Sequence, residues 1–328
     1  PAMRVLVTGA SGFLGGRTAR LLVEEHEVVG TGRVFPPARR RALEEAGVRL
    51  RTADLTAPDS LGPLLEDVDA VVHCAALSTL WGRRDQLQRI NVDASARLAR
   101  ASAERGLRLV HISSPSIYNR AVHEDPRWGT PQRPVPESLP VGPRFDSDYA
   151  RSKHLAERAV IAAHPDACLL RPRGIYGPGD TSIVPRIVAA LESRRLPRLV
   201  DGDVLTDLTH VDNAAHAIAL ALDSEVTGAV NIADGTPIAI WDGIDRLADH
   251  RGLPRPRRRL PAAPVERAAG LVEQVARRLG RAEPRLTATG IRLLTRGMRL
   301  DLTRAREELG YAPVREDGLA SAWEEEGA

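Results

Sequence analysis

Lysine is all but missing from this chain. Of its 46 basic residues, 45 are arginine and one, Lys153, is lysine. Cysteine is nearly as scarce. Cys74 and Cys168 are too few for a disulfide framework and stand at no metal-ligand spacing, so both read as small core residues of a protein kept in a reducing cytoplasm. No uncharged apolar run approaches the roughly 18 residues that a membrane span needs. The opening "PAM" reads as a short scar ahead of a native Met3 and has neither the charged region nor the apolar run of a signal peptide. Aromatic residues make up 3% of the chain and do not interleave with its basic stretches, which argues against a nucleic-acid binder. The formal net charge of +3 suits anionic ligands, although drift from Lys to Arg accounts for it equally well.

What is present is the composition of a soluble protein, 43% apolar and 27% charged, over 328 residues. That length suffices for one large domain with an appended lobe. "MRVLVTGASGFLGGRTARLLVEEHEVVGTGR" runs apolar strand, glycine turn, amphipathic helix, second strand, which is the order of a βαβ unit. Gly9, Gly12 and Gly15 follow Thr8 in the pattern G-x-x-G-x-x-G. The first permits a tight turn, the second lets a pyrophosphate approach the backbone, and the third lets the helix pack close to the sheet. A helix starting near Phe13 directs its free N–H groups at the phosphates. Thr8, Gly9, Ser11, Gly12, Phe13, Leu14 and Gly15 are therefore candidate dinucleotide contacts. A glycine triplet also serves ordinary strand-to-helix turns; its place after the first strand is what points to a cofactor.

At the end of the second strand, Gly32 and Arg33 stand where an acid would accept bonds from the adenosine ribose of NAD. A guanidinium there can bind a 2′-phosphate, so NADP(H) is favoured over NAD(H), unless Arg33 is one more surface arginine. Asp54 and Leu55, past the third strand, are placed to reach the adenine. Ala75 and Ala76, past the fourth, are small enough for a cofactor to lie against. His73 reads as a satisfied strand-end histidine rather than a ligand, since no His or Cys lies at metal spacing.

Tyr149 and the lone Lys153 fall at i and i+4 in a helix predicted from about 147 to 164, so both emerge on one face. Free tyrosine has a pKa of about 10 and is a poor base at neutral pH. A nearby ammonium is expected to pull it down. Lysine offers a compact charge with three rotatable donors, which planar arginine does not replace.

"TGASGFLG", "ADL", "HCAAL", "NVDASARLARAS", "HISSPSIY", "YARSK", "LLRPRGIYGPGD" and "DLTHVDNAAHAIALAL" occur in order along nearly the whole chain. In these motifs the chain resembles the short-chain dehydrogenase/reductase superfamily, specifically its extended branch, the NAD-dependent epimerase/dehydratase family. The resemblance implies an α/β fold: a Rossmann-type doubly wound parallel sheet with a small C-terminal substrate-binding lobe. Residues 3–176 would form the cofactor-binding and catalytic core, and 177–328 mainly the lobe, with segments near 204–234 returning to the core. It implies Tyr149, Lys153 and Ser114 as catalytic residues, Ser114 being easily confused with its neighbour Ser113. Asn91, opening a helix after "QRI", would pack near the site, though Asn is also an ordinary helix cap. Pro172, Gly174 and Ile175 would form the loop that passes the nicotinamide. Family members dimerise through the helices carrying "NVDASARLARAS" and "YARSKHLAERAV", where Ala94, Ala150 and Ala156 are small enough for a homodimer contact.

Departures from the pattern bear on the substrate. Nucleotide-sugar members commonly carry an Arg for the diphosphate where this chain has Thr206, and "VYG" where it has Ile117–Asn119, although Arg186, Arg194, Arg195 and Arg198 could supply charge. "HVDNAAHAIALAL", with Asn213 and His216, is similar to the 3β-hydroxysteroid dehydrogenase-like subgroup. The favoured activity is thus an NADP(H)-linked interconversion of a secondary alcohol and a ketone on an apolar small molecule. The alternatives are a nucleotide-sugar epimerase, dehydratase or 4-ketoreductase, and a non-catalytic cofactor sensor. Residues 119–146, proline-rich and without helical period, are expected to form a mobile loop over the site. The Arg-rich stretch 251–285 has the spacing of a basic amphipathic helix, most simply a solvated one. Gly310 should end a helix with a strand after it.

Overall fold

A computed structural model describes residues 2–194, 196–200, 204–284 and 286–316. Arg195 and Arg285 lie outside the described residues. Apolar runs rich in Val, Ile and Leu form β1 (Arg4–Thr8), β2 (Glu27–Gly32), β4 (Ala70–His73), β5 (Arg108–Ile112) and β6 (Cys168–Pro172), and the more polar Arg49–Thr52 forms β3. With the strand Gly228–Ile232 they make one seven-stranded parallel sheet, running from that strand through β6, β5, β4, β1 and β2 to β3. The central strands β1, β4, β5 and β6 are near-continuously apolar and buried on both faces, and only the edge strand β3 is largely exposed. The helices α1 (Phe13–Leu22) and Val211–Leu222 pack together against one face, and Ala94–Ala103 and Asp148–Ala163 against the other. The chain leaves β1 outward to β2 and returns inward to β4. That reversal opens a crevice at the carboxyl ends of β1 and β4, where this architecture binds ligands.

A second apolar cluster, centred on the fully buried Trp241, joins the helices Val184–Glu192, Ile240–His250, Ala262–Arg278 and Ala288–Thr295. Residues 303–311 do not join it. Ala305, Leu309 and Tyr311 pack into the main core beside the strand Gly228–Ile232.

Three expectations need correcting. Residues 119–146 are not a bare loop: Asn119–Glu124 is helical, and Val122, Val135 and Leu139 pack with Met298, Leu300 and Leu302 in a core of their own. Val135 donates to and accepts from the backbone around Leu300, so the prolines shape an extended strap that is pinned to its neighbour. Gly310 does end a helix, in the left-handed region at φ 64°, yet no strand follows among the described residues. Ala94, Ala150 and Ala156 are each at most 2% exposed and are spent on packing within the protomer.

The helix Asp148–Ala163 is fastened to β6 by a buried ion pair. Arg171 donates from Nε and Nη2 to the two carboxylate oxygens of Glu157 at 2.8 and 2.6 Å, and Nη1 bonds the Tyr118 hydroxyl, which donates to Asn231. Glu157→Gln leaves the guanidinium without its counter-charge inside the protein. It should lower unfolding free energy by about 3 kcal/mol, read as a fall in urea midpoint at constant m-value.

Candidate active site

The glycine turn is built as its spacing suggests. Gly9 sits at φ 70°, and a Cβ on it would lie 2.8 Å from the Ala75 nitrogen, so the turn after β1 and the loop after β4 meet backbone to backbone. A Cβ on Gly15 would lie 2.3 Å from the Gly9 oxygen, which is why α1 can start hard against the turn. Gly12 is the N-cap of α1 and no side chain caps the first turn. Its N–H groups are left to face the crevice, a cradle that fits a dinucleotide pyrophosphate. Phe13 and Leu14 open this helix, and Ser11 lies beside Gly32, so close that a Cβ there would meet its hydroxyl at 2.6 Å.

Thr8 is fully buried. Its hydroxyl bonds His73 Nδ1 at 2.7 Å and accepts from the Ala75 N–H at 3.1 Å, so it holds the β4 loop in place rather than opening toward a ligand. His73 Nε2 bonds the Ser95 hydroxyl at 2.8 Å, and burial, with the Lys153 charge adding, pushes its pKa down to about 3. It is a satisfied neutral histidine. Arg33 is exposed at the end of β2. Bonds from Thr56 chiefly hold the Asp54 carboxyl below its usual range, and the Arg33 and Arg89 charges add to this. Leu55 accepts a bond from Arg97 through its carbonyl, and Ala76 is exposed beyond β4. A residue that sequence reasoning missed, Arg39, reaches back from the helix Pro37–Glu45 and donates to the Gly12 carbonyl at 2.9 Å. It therefore stands at the phosphate cradle.

Ser147 caps the helix Asp148–Ala163, accepting from the Ala150 N–H at 3.1 Å, and this fixes the first turn that carries Tyr149. Ser114 and Ser78 stand beside the Tyr149 hydroxyl, and both favour its ionised form. Ser114, rather than Ser113, faces the tyrosine; the Ser113 hydroxyl is buried without a partner. Ser78 lies one residue past "HCAAL", on an irregular loop whose path no local pattern announces. One turn on, Lys153 is 3% exposed and donates from Nζ to the Ile112 carbonyl at 2.6 Å. Burial lowers its pKa to about 8, against the attraction of Glu157.

The expected lowering of the Tyr149 pKa is not found. Burial raises it above the ordinary 10, opposed only by the neighbouring Ser78 and Ser114 hydroxyls. The reason is that the ammonium is turned to Ile112 at the end of β5.

Asn91 also differs from expectation. It does not open a helix but sits inside one, in a π-helical stretch from Gln88 to Asp93. Fully buried, it accepts from the Leu77 N–H at 2.7 Å and donates to the Leu77 carbonyl and the Ser152 hydroxyl. It thereby ties the loop bearing Ser78 to the helix bearing Tyr149. Pro172 ends β6, Gly174 turns at φ 44° with Leu208 where a Cβ would be, and Ile175 pairs with Thr209.

The family described as "NAD dependent epimerase/dehydratase family" matches residues 5–233. The chain belongs to that family. A 2-alkyl-3-oxoalkanoate reductase of Stenotrophomonas maltophilia is 33% identical over 95% of both chains. A 3β-hydroxysteroid-dehydrogenase/decarboxylase of Arabidopsis thaliana is 29% identical over 94% of this chain and 76% of its own. The UDP-glucuronic acid 4-epimerase of Bacillus cereus, solved with NAD, has the same fold at TM-score 0.73, with 23% identity over 98% of this chain and 97% of its own. This member of the extended short-chain dehydrogenase/reductase family is an NAD-dependent oxidoreductase, and the reading as a non-catalytic sensor falls. No described helix is long and apolar enough to cross a membrane.

Proposed function

We propose that the chain is an NADP(H)-linked oxidoreductase that interconverts a secondary alcohol and a ketone on an apolar small molecule, with Tyr149, Ser114 and Lys153 as its catalytic residues. The observation that carries this reading is the Tyr149 hydroxyl flanked by Ser114 and Ser78 at the carboxyl edge of the sheet, one helical turn from the buried Lys153. A bound nicotinamide cofactor supplies or accepts the hydride. Ser114 donates to the substrate oxygen and orients it. Tyr149, protonated at neutral pH because burial raises its pKa, gives that oxygen a proton when a ketone is reduced and takes it back when an alcohol is oxidised. Lys153, rooted on Ile112, offers its remaining N–H donors to the ribose of the cofactor. Asn91 positions Ser78 and Tyr149 through Leu77 and Ser152. Gly9, Gly12, Gly15 and the first turn of α1 would hold the pyrophosphate, Asp54 and Leu55 the adenine, and Pro172, Gly174 and Ile175 the nicotinamide side.

Against a nucleotide sugar stands Thr206, which is 4% exposed and bonded to the Met298 backbone, so that position offers nothing to a diphosphate. Arg186 is paired with Glu283, and Arg198 with Asp245. Incubation with NADPH and a 2-alkyl-3-oxo acid should consume cofactor stoichiometrically with ketone. An epimerase would turn over with no net change in cofactor, and that outcome would overturn the reading.

Arg33 and Arg39, at the end of β2 and on the helix after it, support NADP(H). With charge-assisted bonds contributing about 1.5–3 kcal/mol each, Arg33→Ala with Arg39→Ala should lower the NADPH-to-NADH ratio of kcat/KM by roughly 100-fold. An unchanged ratio would remove the preference. Two free cysteines accord with a cytoplasmic location. Homodimerisation is carried by family resemblance, and its contact would use surface other than Ala94, Ala150 and Ala156.

A further inference from the structure

Arg173 is a buried cation without a bonded partner. It is 8% exposed, its Nε has no hydrogen-bond acceptor, and its side chain makes no hydrogen bond or ion pair among the described residues. Its backbone is rigidly held. The Arg173 N–H donates to Ile232 at 3.0 Å, its carbonyl accepts from the Thr209 hydroxyl at 2.7 Å, and the next carbonyl, of Gly174, accepts from the Thr209 N–H. In the register of β5 and β6, Ile112 lies opposite Leu170, and Ser113 donates to Leu170. Carried forward, that register sets Arg173 one residue past the level of Ser114, on the adjacent strand at a spacing of about 4.8 Å. It follows Pro172 and precedes Gly174, at the carboxyl edge of the sheet next to the strand that leads to Ser114.

Its environment specifies what it can bind. Asp207, fully buried, attracts it, but the Asp207 oxygens are engaged by Arg299 Nε at 2.7 Å and the Leu300 N–H at 2.7 Å. Two arginines and one carboxylate leave one positive charge uncompensated. A single carboxylate neutralises it. A diphosphate would bring excess negative charge beside Asp207. Other cations of the substrate side are taken: Arg292 is bonded to Glu266, and Arg120 to Glu124. A planar guanidinium with unused donors matches a carboxylate through two parallel bonds.

We propose that Arg173 is a specificity residue that binds the carboxylate of a 3-hydroxy or 3-oxo acid, two carbons from the carbon that Tyr149 and Ser114 address. This rests on the alcohol–ketone reading of the site and narrows its substrate class to β-functionalised acids.

The test compares oxidation of a 2-alkyl-3-hydroxydecanoic acid with that of its methyl ester, using NADP and the full chain. Wild type should prefer the acid, and Arg173→Gln should lower the acid-to-ester ratio of kcat/KM by about 100-fold. Arg173→Lys, which keeps the charge without the fork, should retain part of the ratio. Melting temperature and cofactor affinity of each variant identify a folding defect. A folded Arg173→Gln enzyme with the wild-type ratio overturns the proposal. So does a wild type that takes acid and ester equally, a result that needs no variant and leaves the alcohol–ketone reading standing. If neither compound is oxidised and the matching ketones consume no NADPH, both fall together.

Discussion

Tyr149→Phe should lower kcat for alcohol oxidation by about 1,000-fold while cofactor affinity changes little, the loss expected of a positioned acid/base. The substitution removes one oxygen from a side chain already packed in place, so the melting temperature is the control that separates chemistry from folding. The pH profile carries further information. Burial raises the tyrosine above its ordinary pKa of 10, so the phenol stays protonated through neutral pH and beyond it. Ketone reduction, which needs that proton, should be level across neutral pH, and alcohol oxidation, which needs the phenolate, should rise steadily toward alkaline pH. A Phe variant within tenfold of wild type would remove Tyr149 from the chemistry.

Lys153→Arg should lower kcat/KM by roughly 100-fold or more at neutral pH, despite preserving the charge. The ammonium is buried, donating to Ile112 with Cys74, His73 and His111 close enough to feel its field. A guanidinium adds bulk at that buried position, and overpacking a buried site costs about 1–3 kcal/mol before any loss of ribose contact. Full activity in the Arg variant would show that the solitary lysine is an accident of composition. The lysine also leaves a mark on stability. Its folded pKa, about 8, is below its unfolded 10.5, so the unfolded chain holds more protons between those values and this group's contribution to stability rises with pH across that window. Below pH 8 the cost of the buried cation is fully present. Lys153→Met should lack that alkaline rise, which urea denaturation at pH 7 and pH 9 would detect.

Much of this site was legible because its determinants are local. The glycine turn needs φ above zero at Gly9 and no side chain at Gly15, both properties of one short segment. Tyr149 and Lys153 are one helical turn apart, and the absence of lysine elsewhere made the pair stand out. What was not legible depends on contacts distant in sequence. Ser78 reaches Tyr149 only because Asn91 holds Leu77. Arg39 looks like one more surface arginine until its helix folds back on Gly12. Residues 119–146 carry a composition that suggests a free loop, yet the stretch Met298–Leu302, more than 150 residues on, gives Val135 a backbone partner. The Tyr149 pKa was misjudged for a related reason: i,i+4 spacing gives proximity along a helix but not the direction in which a flexible ammonium turns, and the Ile112 carbonyl decided that.

The π-helical stretch at Gln88–Asp93 amounts to one residue more than an α-helix would use. An extra residue advances every later side chain by about 100°, so Asn91 can face the β4 loop while Ala94 and Leu98, beyond it, still face the core. Deleting a single residue here would restore a regular helix and keep the apolar stripe intact. It would also swing Asn91 away from Leu77 and Ser152, uncoupling the loop that bears Ser78 from the helix that bears Tyr149. The reading frame of this helix, counted in single residues, is thus a part of the site that no side-chain substitution can replace.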